Sequence, residues 1–347
     1  MIHDIEWCIP STARLLEMKR ITILAFLIGL AAVTALIVWQ GAAEITGTLA
    51  KLGFGIIFML LSFALYLVIG AFALRFLFPV EKIPGLVPIF NSLWIGGSVN
   101  TLFPVAQLGG EAVKARVLNY YGAPGAIAAS AALADTTVSA LSLALWGFVG
   151  VAALFHLNVE ANVTYGVAAG VTLFSIGSII FFVLQRIGAV GYLAKSISGI
   201  SSSKGWGLVI DNVKDVDTAV RNVYRNTPRL SLSVAIKLLA RLAMSLEIWV
   251  AAYWMGHPIS LIEAFMFRSL IATVRGAAFF IPQGLGVQEA AFIGLGGLVG
   301  ISPGIALSIS LATRAREVIE SIAGFLLWQR LEGKSLWALI SRDKSSS

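Results

Sequence analysis

The chain has 347 residues, of which 58% are hydrophobic and only 12% charged, with a mean hydropathy of +0.88 and a formal net charge of +7. That balance excludes an ordinary soluble domain. One cysteine, Cys8, and three scattered histidines, His3, His156 and His257, exclude an internal disulfide and offer no metal-ligand spacing, so no metal, cofactor or redox chemistry is expected.

In chain order, residues 1–20 are an N-terminal segment carrying Arg14, Lys19 and Arg20 ahead of the first apolar run, Ile21–Trp39. This run is longer than the roughly 7–15 residues of a secretory signal core and reads as an uncleaved anchor. Leu52–Phe78, Ala126–Phe155, Val163–Leu184, Leu230–Met255 and Ile305–Trp328 follow. Together they make about six spans of the roughly 20 residues that cross a bilayer as helix. Residues 21–184 thus form a first membrane half, 230–330 a second, and 331–347 a tail.

Between the halves, 185–229 is a polar connector. "SISGISSSKGWG" reads as a flexible linker. After it, Val209, Val213, Val216, Val220 and Val223 form the stripe of an amphipathic helix lying on the membrane surface or the base of the bundle. Basic residues cluster before Ile21, around Arg75 and Lys82, through Arg186–Arg229 and after Trp328. The positive-inside rule then puts both termini and the connector in the cytoplasm. That distribution accounts for the basic balance, and no nucleic-acid partner is implied.

Two units, 86–121 and 261–300, depart from simple spans. In "LFPVAQLGGEAVKARVL" and "FFIPQGLGVQEAA" a short apolar helix meets a proline, a glycine-rich break and then a glutamate opening a second short helix. Pro104 and Glu111 are seven residues apart, as are Pro282 and Glu289, and each member of the first pair lies 178 residues from its counterpart. Proline turns at Pro124 and Pro303 then lead into a long helix in both halves. The expectation is an all-α polytopic membrane protein whose two re-entrant helical hairpins form an inverted repeat, the arrangement of many secondary transporters. Two tilted spanning helices with a tight turn are the simpler alternative for each unit.

A charge at the centre of a span costs about 2.5–3.5 kcal/mol on insertion scales, so it normally faces a partner or a wet site. Asp135, Lys237, Arg241, Glu247, Arg314, Arg316, Glu317 and Glu320 fall inside apolar runs, and Arg268 and Arg275 precede the second break. Arg316 and Glu320, four residues apart, can pair; Lys237 and Arg241 repel unless an acid or anion intervenes. Internal salt bridging is the plain reading of any one of them. As a set, arginines beside two open breaks suit a phosphate-bearing lipid head group, with half-helix N-termini adding donors. The candidate head-group residues are Glu111, Lys114, Arg116, Asp135, Arg268, Arg275, Gln283, Gly284, Gly286, Glu289, Arg314, Arg316 and Glu317. Glu111 and Glu289 also read as helix caps. No catalytic set is present: there is no Ser-His-Asp constellation, no phosphate loop and no histidine among the buried charges.

"VNTLFPVAQLGGEAVKARVL" and "FFIPQGLGVQEAAF…GISPGIALSISLATRAREVIESIAGFLLWQ" resemble the lysylphosphatidylglycerol synthase transmembrane (flippase-like) family. The second half, with "LEIWVAAYWMGHPISLIEA", is especially similar to its hopanoid-biosynthesis-associated members. The resemblance implies a helical bundle with two re-entrant units that moves or presents a lipid across the bacterial inner membrane. It implies no lysyl transfer, because the synthase domain fused to some relatives has no counterpart in these residues. Where many relatives carry an acidic-Arg pair, this chain has Asp135-Thr136.

Three readings follow. The first is a non-enzymatic, flippase-like lipid transporter that binds a phospholipid, polyprenyl-phosphate or hopanoid-type lipid between the two units. The second is a non-transporting accessory protein that partners lipid-biosynthesis enzymes through the connector. The third, an intramembrane lipid-modifying enzyme, needs a product that depends on Asp135 or Glu289.

Overall fold

The computed structural model describes residues 50–102, 108–186, 216, 218–279 and 281–343, with side chains through Leu331 apart from those of Leu108 and Pro282. The run Ile21–Trp39, Pro104 and most of the connector lie outside the described residues. Those described are helical, with no strand. The helices are α1 Gly55–Arg75, α2 Leu86–Leu102, α3 Leu108–Tyr120, α4 Gly125–His156, α5 Ala161–Arg186, α6 Thr227–Trp254, α7 Leu261–Ala277, α8 Val287–Leu298 and α9 Pro303–Asp343. Short 3-10 turns stand at Val80–Lys82 and Pro282–Gly284. Three helices, α1, α4 and α5, are long and apolar enough to cross a membrane on length and composition alone.

Local sequence explains most boundaries. Asn226 caps α6 by accepting from the Arg229 N–H at 3.3 Å, with a proline in the first turn. Ser260 and Glu263 form a reciprocal capping box at α7. Proline turns start α4 and α9. Along α1, Ile57, Phe58, Leu61, Leu65, Val68 and Phe72 stay exposed at helical spacing, a face suited to lipid.

The packing follows a pattern of exchange. α1 packs along α6, α2 against α9, and α7 against α4. Within each half, α1 meets α2 as α6 meets α7, and α3 meets α4 as α8 meets α9. Swapping α1–α4 for α6–α9 maps these pairings onto themselves. α5 and the α6–α9 contact fall outside the scheme.

Two apolar clusters bracket the bundle. One joins Met59, Leu154, Ile248, Phe267, Phe292 and Ile309; the other joins Leu74, Ile89, Leu118, Val138 and Tyr224. On α1, α4 and α6, the stretch between the clusters holds Tyr66, Ser142 and Arg241. Arg241 therefore lies between the two clusters along α6.

The connector rejoins the fold as helix at 218–225. Val220 and Tyr224 of this helix are buried against the second cluster. Tyr224 Oη hydrogen-bonds Thr137 Oγ1 at 2.9 Å and also bonds Gln185 Oε1, so the stripe's last turn faces the bundle.

Candidate functional site

The second break is built by bending the backbone and then satisfying what the bend exposes. Gln283 and Gly284 both have φ of 56°, and Gly286 has φ of 80°. The left-handed region is strained for a residue with a side chain, so Gln283 must be held there by its surroundings. Arg314 of α9 supplies part of that hold, donating to the carbonyls of Gln283 at 3.1 Å and Gly284 at 3.2 Å. The same guanidinium pairs with Glu289, Nε to Oε1 at 2.6 Å. Glu289 is fully buried, and its other oxygen accepts from the Gly286 N–H at 2.8 Å. It is thus helix cap and ion-pair partner at once.

The second break is tied to the helices on either side of the first. Gln283 Nε2 donates to the backbone carbonyl of Asn100, and Asn100 Oδ1 accepts from the Gly110 N–H at 2.8 Å. α2 and α3 cross so closely at Gly96 and Gly110 that a Cβ on Gly110 would overlap the Gly96 carbonyl and the Asn100 amide. Glycine is required there by contact rather than by backbone angle.

Beyond this crossing, Lys114 bridges Glu111 and Asp135, 2.8 Å from each. Lys237 of α6 lies 2.7 Å from the other Asp135 oxygen in an ion-pair contact without hydrogen-bond alignment. Asp135 thus answers Lys237, whereas Arg241 bonds Ser142 and the Ser139 carbonyl instead. The α3–α4 pair Lys114–Asp135 and the α8–α9 pair Glu289–Arg314 occupy corresponding interfaces with their signs exchanged.

A third group runs through the centre. Glu247, wholly buried on α6, receives two bonds from Arg316, at 2.7 and 3.1 Å. Arg316 also meets Glu320 at 2.6 Å and lies over the Phe63 ring, 5.3 Å from its centroid. Arg275 pairs with Glu317 and donates to Gln288 Oε1, each at 2.7 Å. Gln288 in turn donates to Ser310 Oγ at 3.1 Å and Thr313 Oγ1 at 3.0 Å. Arg268 has one ion pair, to Glu247 at 3.5 Å.

The predicted residues therefore form three groups: Glu111, Lys114 and Asp135; Gln283, Gly284, Gly286, Glu289 and Arg314; and Arg268, Arg275, Arg316 and Glu317. Arg116 is exposed at the solvent or lipid side of α3. Most guanidiniums are occupied by carboxylates, so the interior is an ion-pair network more than an open cationic lining. Asn100 and Gln288 were missed as site residues. A polar amide within an apolar helix was the available signal for both. Lys237, Glu247 and Glu320 were visible as buried charges but not as members of this set.

A multi-helix bundle with three helices long and apolar enough to span and a buried charge network defines the class: a polytopic helical membrane protein. The model of the lysylphosphatidylglycerol synthase TM region matches residues 24–324, and the chain belongs to that family. It is also similar to a UPF0104 membrane protein of Methanothermobacter thermautotrophicus, 24% identical over 321 residues that cover 86% of this chain and 91% of that protein. No solved structure matches.

Proposed function

We propose that the protein is a non-enzymatic, flippase-like lipid transporter whose two interrupted units form an inverted pair around a head-group site. The observation that carries this reading is the bond from Gln283 to the Asn100 carbonyl, because it ties the break of one half to the last turn of α2 in the other. Broken helices meeting at a repeat interface are how many transporters build a substrate site. Membership in a family named for a lipid synthase's membrane region supports a lipid as the cargo. Phosphate-bearing lipids suit the arginine donors better than a largely uncharged hopanoid. The bacterial inner membrane, with both termini cytoplasmic, is the location this reading carries.

Reconstitution tests it. Proteoliposomes should translocate a fluorescent anionic phospholipid, and Arg275→Ala and Glu289→Gln should each slow that translocation. Unchanged rates in both variants would remove these residues from the site. The accessory-protein reading predicts the reverse, with function lost on deleting Gly205–Arg225 and kept in the charge variants.

A further inference from the structure

We propose that Glu320 of α9 is an exchangeable proton-binding site, with the proton carried on Oε2. Among the described residues this is the buried carboxylate oxygen with neither a hydrogen bond nor an ion-pair contact. Asp135 Oδ1 also lacks a hydrogen bond, but Lys237 stands 2.7 Å from it. The Glu320 side chain is nine-tenths buried, within the apolar run Ile305–Trp328. An ionised oxygen sealed in that way bears its full desolvation cost, and a proton removes the charge that incurs it.

The surroundings leave Oε2 out. Arg316 reaches Oε1 at 2.6 Å, but the same guanidinium gives two bonds to Glu247 of α6. Glu317, 3.8 Å from Arg316, is served by Arg275 of α7 at 2.7 Å. The other charged groups on the helices packed against α9 are occupied elsewhere. On α6, Lys237 faces Asp135 and Arg241 bonds Ser142 and the Ser139 carbonyl; on α8, Glu289 holds Arg314. From α1, Phe63 lies beneath Arg316 with Tyr66 stacked on it. α2 has no titratable residue, and its Trp94 Nε1 donates to the Glu320 backbone carbonyl at 2.9 Å. One turn on, a Cβ at Gly324 would overlap Ser98 Oγ, so α2 closes tightly over this part of α9.

Geometry selects a proton over a larger cation. A metal ion needs several oxygen ligands, and among the described residues no cluster of His, Cys, Asp or Glu could hold one. The Arg316 charge on the neighbouring oxygen repels any ion that must share the carboxyl. A proton needs one oxygen. Its uptake forms the Oε2–H bond and breaks none, and Oε1 still accepts from Arg316. Arg268, Arg275 and Arg316 balance Glu247, Glu317 and Glu320 while all are ionised. With Glu320 neutral, the hold on Arg316 passes from its own helix to Glu247 of α6. That this exchange accompanies lipid movement rests on the transport reading above.

The test is infrared difference spectroscopy of the full-length protein in detergent as the pH is raised. The wild type should show the carbonyl stretch of a protonated carboxylic acid disappearing, and Glu320→Gln, which keeps the side chain's shape, should lose that band entirely. Glu320→Asp retains a carboxyl and should show the band at a shifted frequency, which carries the test if the glutamine variant fails to fold. A band of wild-type size and frequency in either well-folded variant overturns the site, as does a wild type with no titrating band. In proteoliposomes carrying a fluorescent anionic phospholipid, an imposed pH gradient should change the wild-type translocation rate and leave that of Glu320→Gln unaltered. A wild-type rate indifferent to the gradient overturns the coupling and leaves the proton site standing. A titrating band without any translocation sustains the site and sinks the transport reading, so the two fail separately.

Discussion

Lys237 and Asp135 lie 2.7 Å apart across the boundary between the halves, both almost wholly buried. This contact, reinforced by Lys114 at 2.8 Å, makes Asp135 the single acid between two buried lysines. Asp135→Asn leaves Lys237 without a counter-charge among the described residues, while Lys114 keeps Glu111 at 2.8 Å. It should lower stability by about 3–5 kcal/mol, the usual cost of breaking a buried pair from one side. Thermal unfolding in detergent measures this, and adding Lys237→Met should recover part of the loss.

Glu289 holds both the Gly286 N–H and Arg314, so its variants separate cap from ion pair. Glu289→Gln keeps an acceptor for the amide and loses the charge, whereas Glu289→Ala loses both. The alanine variant should be the less stable by about 1 kcal/mol, the typical worth of a cap. Equal melting temperatures would show that the amide bond contributes nothing.

Gly284 has φ of 56°, and a Cβ there would lie 3.1 Å from Arg275 Cγ. Gly284→Ala should cost about 1–2 kcal/mol from the left-handed backbone alone. It should also push Arg275 away from Glu317 and Gln288. Retained stability with full translocation would mean that the break relaxes without penalty.

Tyr224 pins the end of the connector to α4 and α5 through Thr137 and Gln185. Thr137 Oγ1 also donates to Gln185 Oε1 at 2.7 Å, so those two remain satisfied without the phenol. Tyr224→Phe should therefore cost only about 1 kcal/mol, while Tyr224→Ala should cost about 3–5 kcal/mol by leaving a cavity. Urea unfolding of the two variants would compare them.

What the sequence made legible was local. The spacing of Gly286 and Glu289 announces a helix start, and Arg316 with Glu320 at four residues announces a pair; both exist. What it hid was tertiary. Nothing in the order of residues says that Arg314 returns to the carbonyls of Gln283 and Gly284, or that Glu247 takes Arg316 from 69 positions away. Side-chain reach across helices depends on rotation and crossing angle, which apolar runs do not encode. The arginines were therefore readable as costly and salt-bridged, but their partners on other helices were not.

Met59 stands 178 positions before Lys237, and Thr313 178 positions after Asp135. Met59 is buried on α1, the helix that packs along α6. Two copies of the first half would thus set Asp135 opposite a thioether, and two copies of the second would set Lys237 opposite a hydroxyl. The buried pair of Asp135 and Lys237 thus has no like-for-like counterpart at Thr313 and Met59.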